Sequence, residues 1–242
     1  MIISSQNSKI KLVRALLGRT KERREANAFV VEGVRLVEEA INSNWKLQFA
    51  LYDQTLSERG KSQVERLTSR GIDVEEVSDS LMKSLSETET PQGILAVLEF
   101  NQLPIIAKHP GGTHSLDFIL IPDQIRDPGN LGTLLRSAAA TGVQAVLLPP
   151  ETTDAFAPKV IRSGMGAHFR LAIHSLTWDE IRGKTKGLQI YLADMDGQAC
   201  WGTDLSQPLA LIVGGEAEGA SEEAQKIATQ TISIPMAGNV ES

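Results

Sequence analysis

The sequence predicts an α/β protein in two parts, a small N-terminal α/β unit over residues 1–103 and a larger unit over 115–242 built on a parallel sheet, with a linker at 104–114. Three observations carry this. Short apolar runs alternate with segments of helical period along the whole chain. In the second part the runs are apolar throughout, as in Phe118-Ile119-Leu120-Ile121, the pattern of strands buried on both faces of a parallel sheet. Between the parts, Pro104, Pro110, Gly111 and Gly112 break any periodicity.

Taken in order, Ile10, Val13, Leu16 and Leu17 recur at helical spacing over residues 8–17, and Phe29-Val30-Val31 then reads as a strand. Val34, Leu36, Val37, Ala40 and Ile41 share one helical face, followed by a strand over 47–51. Residues 63–70 read as helix, 72–77 as extended chain, 81–85 as a short helix and 94–98 as a strand. Past the linker come a strand at 118–121, a helix at 131–141 ended by Gly142, and strands at 145–148, 188–192 and 209–213. The glycine-rich turn after 213 leads into a last helix, and Ile232-Ser233-Ile234 forms a last strand.

Of the 242 residues, 41% are apolar and 22% charged, enough for a packed core. There is no run of 18 apolar residues, and Met1-Ile2-Ile3-Ser4-Ser5 lacks the basic start and apolar stretch of a secretory signal, so the expected location is the cytoplasm. Cys200 is the only cysteine, which excludes an internal disulfide and a cysteine-rich zinc site and reads as a buried thiol. His109, His114, His168 and His174 show no ligand spacing, and no metal is expected.

The net charge of −6 argues against a protein that coats nucleic acid, yet residues 1–35 carry eight cations against three anions. Lys9, Lys11, Arg14, Arg19, Lys21, Arg23, Arg24 and Arg35 are either a grip for a polyanion or a solvated basic face.

Three stretches can carry chemistry. In Asp123-Gln-Ile-Arg-Asp-Pro-Gly-Asn-Leu-Gly-Thr-Leu-Leu-Arg136 turn residues follow a strand, Asn130 is suited to cap the next helix, and Leu131, Leu134, Leu135 and Ala138 form its buried stripe. Arg136 follows Asn130 by six residues and can face the crevice at the strand ends; on spacing alone it is also an ordinary exposed helix arginine. In Val213-Gly-Gly-Glu-Ala-Glu-Gly219, glycines let the backbone approach a ligand, but their spacing is not that of a dinucleotide fingerprint. Third is Ile234-Pro-Met-Ala-Gly-Asn-Val-Glu-Ser242, a loop after a strand. Lys159, Arg162 and Arg170 flank Ser163-Gly-Met-Gly-Ala-His168, either a phosphate contact or a solvated loop.

Together, Asn130-Leu-Gly-Thr-Leu-Leu-Arg136, Val213-Gly-Gly-Glu216-Ala-Glu-Gly219 and Ile234-Pro-Met-Ala-Gly-Asn-Val-Glu-Ser242 resemble, in order, the three motifs of the SpoU (TrmH) family of RNA ribose 2′-O-methyltransferases. Residues 4–41 are similar to the family's N-terminal substrate-binding domain, of ribosomal-protein-like RNA-binding fold. The resemblance implies a SPOUT fold with a trefoil knot, S-adenosylmethionine as cofactor, an RNA substrate and a homodimer. It implies that Arg136, Asn130, Glu216 and Ser242 are the catalytic positions, and that Gly214, Gly215, Glu216, Gly219, Ile234 and Met236 line the cofactor. It also turns Lys9, Lys11, Arg14, Arg23, Arg24, Arg35 and Arg162 into candidate RNA contacts. Ribosomal RNA is the expected substrate, with transfer RNA, or a non-catalytic RNA-binding or ribosome-assembly role on the same fold, as alternatives. Two departures stand out. Gly215 occupies a position where the family usually has asparagine, and the motif 3 continuation Leu-Asn-Val-Ser-Val-Ala falls past Ser242, so a longer chain is expected.

Overall fold

Asn7 starts the first helix by accepting a hydrogen bond from the Lys9 amide at 2.8 Å, and Ile10, Val13 and Leu16 bury one side of it. The computed structural model that shows this describes residues 1–88, 90–101, 103–105, 117–216 and 218–236. The chain divides into two units, residues 1–101 with 156–169, and residues 102–155 with 170–242.

In the first unit the order is α1 (Ser8–Gly18), α2 (Thr20–Glu25), β1 (Ala28–Glu32), α3 (Val34–Asn42), β2 (Leu47–Tyr52), α4 (Glu58–Ser69), β3 (Asp73–Glu76), α5 (Asp79–Leu85) and β4 (Ile94–Glu99). The sheet runs β1-β4-β2-β3, with β4 antiparallel to both neighbours and β3 parallel to β2. Ile10, Val13 and Leu16 of α1 and Leu81, Met82 and Leu85 of α5 meet Val30, Phe49, Leu51, Leu95 and Val97 in one core. Helix α2 has no apolar stripe to announce it.

The second unit holds β5 (Phe118–Pro122), α6 (Pro128–Thr141) and β6 (Ala145–Leu148). After α7 (Pro158–Gly164) it continues with β7 (Ala172–Ser175), α8 (Trp178–Lys184), β8 (Gln189–Ala199), β9 (Leu209–Val213), α9 (Glu222–Ile227) and β10 (Gln230–Ser233). Six strands in the order β10-β8-β9-β5-β6-β7 are parallel at every pairing. Ile119, Ile121, Leu147, Ile190, Leu192 and Ile212 bury one face with Ile181 of α8 and Ala224 of α9.

Three expectations need adjusting. The helix expected from residue 131 starts at Pro128, and its cap is Asp127, whose side chain accepts from the Asn130 amide at 2.9 Å. A proline at the first helical position fixes φ and needs no hydrogen-bonded amide, so the helix begins before Asn130 and frees that side chain. The stretch around 158–169, read as an open loop, is α7 and a 3-10 turn, and it clusters with the first unit rather than with the uninterrupted second part expected from 115 on. Its apolar side explains this: Phe156 packs on Phe29 and Phe100 with ring centroids 5.0 and 4.7 Å apart. Cys200 is half-buried rather than buried. The expected linker lies, from residue 106 on, outside the described residues.

Candidate active site

The strands β10, β8, β9 and β5 are neighbours and parallel, so their C-terminal ends share one edge of the sheet, where ligands of open α/β sheets bind. Each end leaves the sheet differently. After β5 comes the turn 123–127, after β9 the turn 214–220, and after β10 the segment Ile234-Pro235-Met236. Strand β8 pairs with β9 up to Ala193, but its pairing with β10 jumps from Leu192 to Gln198, leaving residues 193–197 as an excursion.

The 214–220 turn closes on itself. Gly215 and Gly219 exchange both amide hydrogen bonds at 3.0 Å. A side chain at Gly214 would put its Cβ 2.6 Å from the Ala220 amide nitrogen, and one at Gly215 would meet the Gln124 carbonyl at 2.6 Å. Glycine is needed here for close approach of backbone to backbone. Gly197 is in the same position, since a Cβ there would lie 2.6 Å from the Ile232 nitrogen, and Ser233 Oγ donates to the Gly197 carbonyl at 2.8 Å.

Asn130, in the first turn of α6, donates from Nδ2 to the Glu216 carboxylate, which joins the first motif to the second. Arg136 is exposed on the same helix, about 9 Å farther along its axis, and makes no hydrogen bond or ion pair with any described residue. Arg126, just before the helix, pairs with Glu218 at 3.2 Å and approaches Glu151 at 3.9 Å. Ile234 and Met236 are 67% and 52% exposed, two apolar groups open to solvent at the strand ends. Ser242 and the rest of 237–242 lie outside the described residues.

Sequence reasoning missed two parts of this edge. The 193–197 excursion, Ala-Asp-Met-Asp-Gly, has no apolar run, and its one signal is the Asp196-Gly197 turn dipeptide. Asp123 looked like a turn residue, yet it is fully buried and its Oδ2 accepts from the Ser221 amide at 2.7 Å. A carboxylate directly after an apolar strand was the available signal. A cavity of about 480 Å³ lined by Asp117, Phe118, Tyr191, Leu209, Leu211 and Ile232 lies against β5, β8, β9 and β10, and none of the turns 123–127, 214–220 or 234–236 lines it.

The first unit's cations divide sharply. Arg23 is 3% exposed and donates to the Leu16 carbonyl at 2.7 Å and to Thr20 Oγ1 at 3.1 Å, holding α1 to α2 instead of facing a ligand. Lys9 pairs with Asp73 and Glu75 and lies 5.2 Å from the Phe49 ring. Burial alone would lower the Lys9 pKa, but the hydrogen bonds to Asp73 and Glu75 outweigh it and raise it above the ordinary lysine value. Arg162 sits 3.0 Å from Glu87 and 4.0 Å from Glu32. Arg14 reaches Ser84 Oγ at 3.1 Å, while Lys11, Arg24 and Arg35 are exposed and without a hydrogen-bond or ion-pair partner among the described residues.

Comparison with known proteins settles the family. The model of the SpoU rRNA Methylase family matches residues 117–242, more than half of the chain, and that of the MRM3-like substrate binding domain matches residues 7–96. The chain belongs to the SpoU rRNA methylase family. With it, the chain joins RNA methyltransferases that use S-adenosylmethionine. It is 31% identical, over 246 residues that span all of this chain and 92% of the relative, to the 23S rRNA (guanosine(2553)-2′-O)-methyltransferase RlmP of Bacillus subtilis. An AdoMet-bound rRNA methyltransferase from Sinorhizobium meliloti superposes with a TM-score of 0.82 at 28% identity, covering 100% of this chain and 90% of that one. The SpoU methyltransferase AviRb from Streptomyces viridochromogenes, in complex with AdoMet, gives a TM-score of 0.78 at 27% identity over 98% of this chain and 92% of that one. The six-stranded parallel sheet is thus that of the SPOUT methyltransferases.

Proposed function

We propose that this chain transfers the methyl group of S-adenosylmethionine to a ribose 2′-hydroxyl of ribosomal RNA, at the shared edge of β5, β8, β9 and β10. The observation that carries the site is the Asn130 to Glu216 hydrogen bond, which brings the first and second motifs together at the ends of parallel strands. The residues suit an adenosyl group: turns at Gly214 and Gly215 have no room for a Cβ and present bare backbone, and Ile234 and Met236 offer apolar cover. S-adenosylmethionine supplies a methyl group made electrophilic by a sulfonium.

What the chain contributes is placement. Backbone groups of 214–219 and 234–236, with Gly215, Gly219 and Glu216 among them, hold the donor. Asn130 fixes the Glu216 carboxylate, which stabilises positive charge nearby. Arg136 presents five donors to a ribose or phosphate oxygen, acting as a clamp. A planar guanidinium that carries only donors suits that role better than proton abstraction. Ser242 is the third-motif member of this set.

Residues 1–103 deliver RNA through Lys11, Arg14, Arg24 and Arg35, while Lys9, Arg23 and Arg162, each held by partners in the first unit, serve the fold. The reading includes the trefoil knot, supported by β10 lying beside β8 instead of beside β9, the strand before it in the chain. It includes a homodimer, supported by Met195 and Trp201, 71% and 75% exposed, which a second copy would cover. It places the protein in the cytoplasm; among the described residues no helix is long and apolar enough to cross a membrane.

The test is incubation with S-adenosylmethionine and unmodified ribosomal or transfer RNA, followed by mapping of hydrolysis-resistant linkages. A resistant linkage in ribosomal RNA is expected. Resistance confined to transfer RNA would move the substrate, and cofactor binding without any methylation would favour a non-catalytic RNA-binding role.

A further inference from the structure

Asp123 is the one fully buried carboxylate at the strand-end edge among the described residues, and its two polar ends grip the same turn. Its backbone amide donates to the Val213 carbonyl at 2.8 Å, just before the 214–220 turn. Its Oδ2 accepts from the Ser221 amide at 2.7 Å, just after that turn. The next residue presses from the side: the Gln124 carbonyl is what excludes a Cβ at Gly215, and Gln124 itself is held at φ +54° with its amide donating to Thr152 Oγ1 at 3.1 Å. The turn's position is therefore set at both ends by one side chain and its own backbone. The other carboxylate oxygen, Oδ1, is buried with no hydrogen-bond partner among the described residues. A buried carboxylate with one oxygen unused is costly, and such a group persists where its position matters.

We propose that Asp123 is a positioning residue for methyl transfer, bracketing the 214–220 turn so that Gly214, Gly215 and Glu216 stand where the cofactor is held. It touches neither donor nor RNA. The inference rests on the function proposed above, in which this turn binds S-adenosylmethionine. Ser221 also caps α9 through its hydroxyl, which accepts from the Ala224 amide at 3.2 Å, so only its N–H belongs to the bracket.

The test measures S-adenosylhomocysteine affinity by calorimetry and the split between KM and kcat for S-adenosylmethionine with saturating RNA. Asp123→Ala leaves the Ser221 amide unpaired and should raise the dissociation constant and KM by about tenfold or more, the equivalent of one lost charge-assisted hydrogen bond. The kcat and the KM for RNA should hold. Asp123→Asn keeps an acceptor oxygen and should restore affinity to within about threefold. A merely structural role would lower the melting temperature and the active fraction, hence kcat, without moving KM. Should Asp123→Ala not fold, Ser221→Pro removes the amide donor at a φ of −63°, which proline adopts, and Ser221→Ala removes only the cap. Proline should reproduce the loss of affinity and alanine should not. Affinity within about twofold of the natural chain for both Asp123→Ala and Ser221→Pro overturns the inference, since a lost bond of this kind is worth more. A natural chain that binds no S-adenosylhomocysteine overturns the cofactor reading as well, which separates the two failures.

Discussion

The two units hold their charged groups in opposite ways. In the second, Glu216 stands on a turn of bare backbone that is anchored from beneath, and its carboxylate is held outward against Asn130. In the first, Arg23 and Lys9 fold back on the chain that carries them, onto the Leu16 carbonyl and onto Asp73 and Glu75. The lesson is that a cation on a short helix is readily spent on the fold, because unpaired carbonyls and carboxylates lie within reach. On the strand-end turn the Glu216 carboxylate is held instead by a side chain from another motif, Asn130, which keeps it at the edge where a ligand would sit.

The largest effect that sharpens this contrast is expected at Arg136, which no described residue engages. Arg136→Ala should lower single-turnover methylation by about 100-fold or more, through lost positioning of the ribose, with an unchanged circular dichroism spectrum and melting temperature. Near-normal turnover would place it with the solvated helix arginines. Next comes the turn. Gly214→Val forces a side chain against the Gly219 and Ala220 backbone and should weaken cofactor binding by about tenfold or more in calorimetry, the effect of overpacking a tight contact. Unchanged binding would show that the turn is not the cofactor's seat.

How much of this was legible follows from the same physics. The strands at Ala145–Leu148 and Leu209–Val213 stood out as apolar runs and formed with those bounds. Asn130, Arg136 and Glu216 were found through motif order, and the structure joins Asn130 to Glu216. Asn130 as a helix cap was misread because Pro128 moves the helix start upstream to Asp127. Helix α7 was hidden because the small residues of 163–167 suggest a loop, whereas Pro158 stands at the helix start and Val160 and Ile161 are buried. A count of basic residues gave Arg23 and Arg24 the same weight, since burial of a side chain depends on a partner elsewhere in the fold. Asp123 escaped notice for a related reason: the amide it receives, from Ser221, is 98 residues away.

Two neighbours in sequence test the first unit directly. Arg23→Ala leaves the Leu16 carbonyl without its donor and should cost about 2–3 kcal/mol in denaturant unfolding, with RNA affinity of the folded fraction nearly intact. Arg24→Ala should do the reverse, leaving stability unchanged while reducing the salt slope of RNA binding by about 1. Equal behaviour of the pair would dissolve the contrast. The smallest effect belongs to Lys9. Its pKa is raised in the folded chain, so its pairing stabilises fully below the ordinary lysine value and is lost as pH climbs through the raised one. Lys9→Met should therefore be less stable than the natural chain by about 0.5–1 kcal/mol at pH 8, with the gap closing at strongly alkaline pH.

The central claim is that separate strand ends converge on one cofactor. Hydrogen exchange measured with and without S-adenosylmethionine tests it most directly. Protection is expected together at 193–197, 214–219 and 234–236, with the first unit unchanged; protection of only one of these segments, or of the cavity beside Phe118 and Leu209 instead, would contradict it.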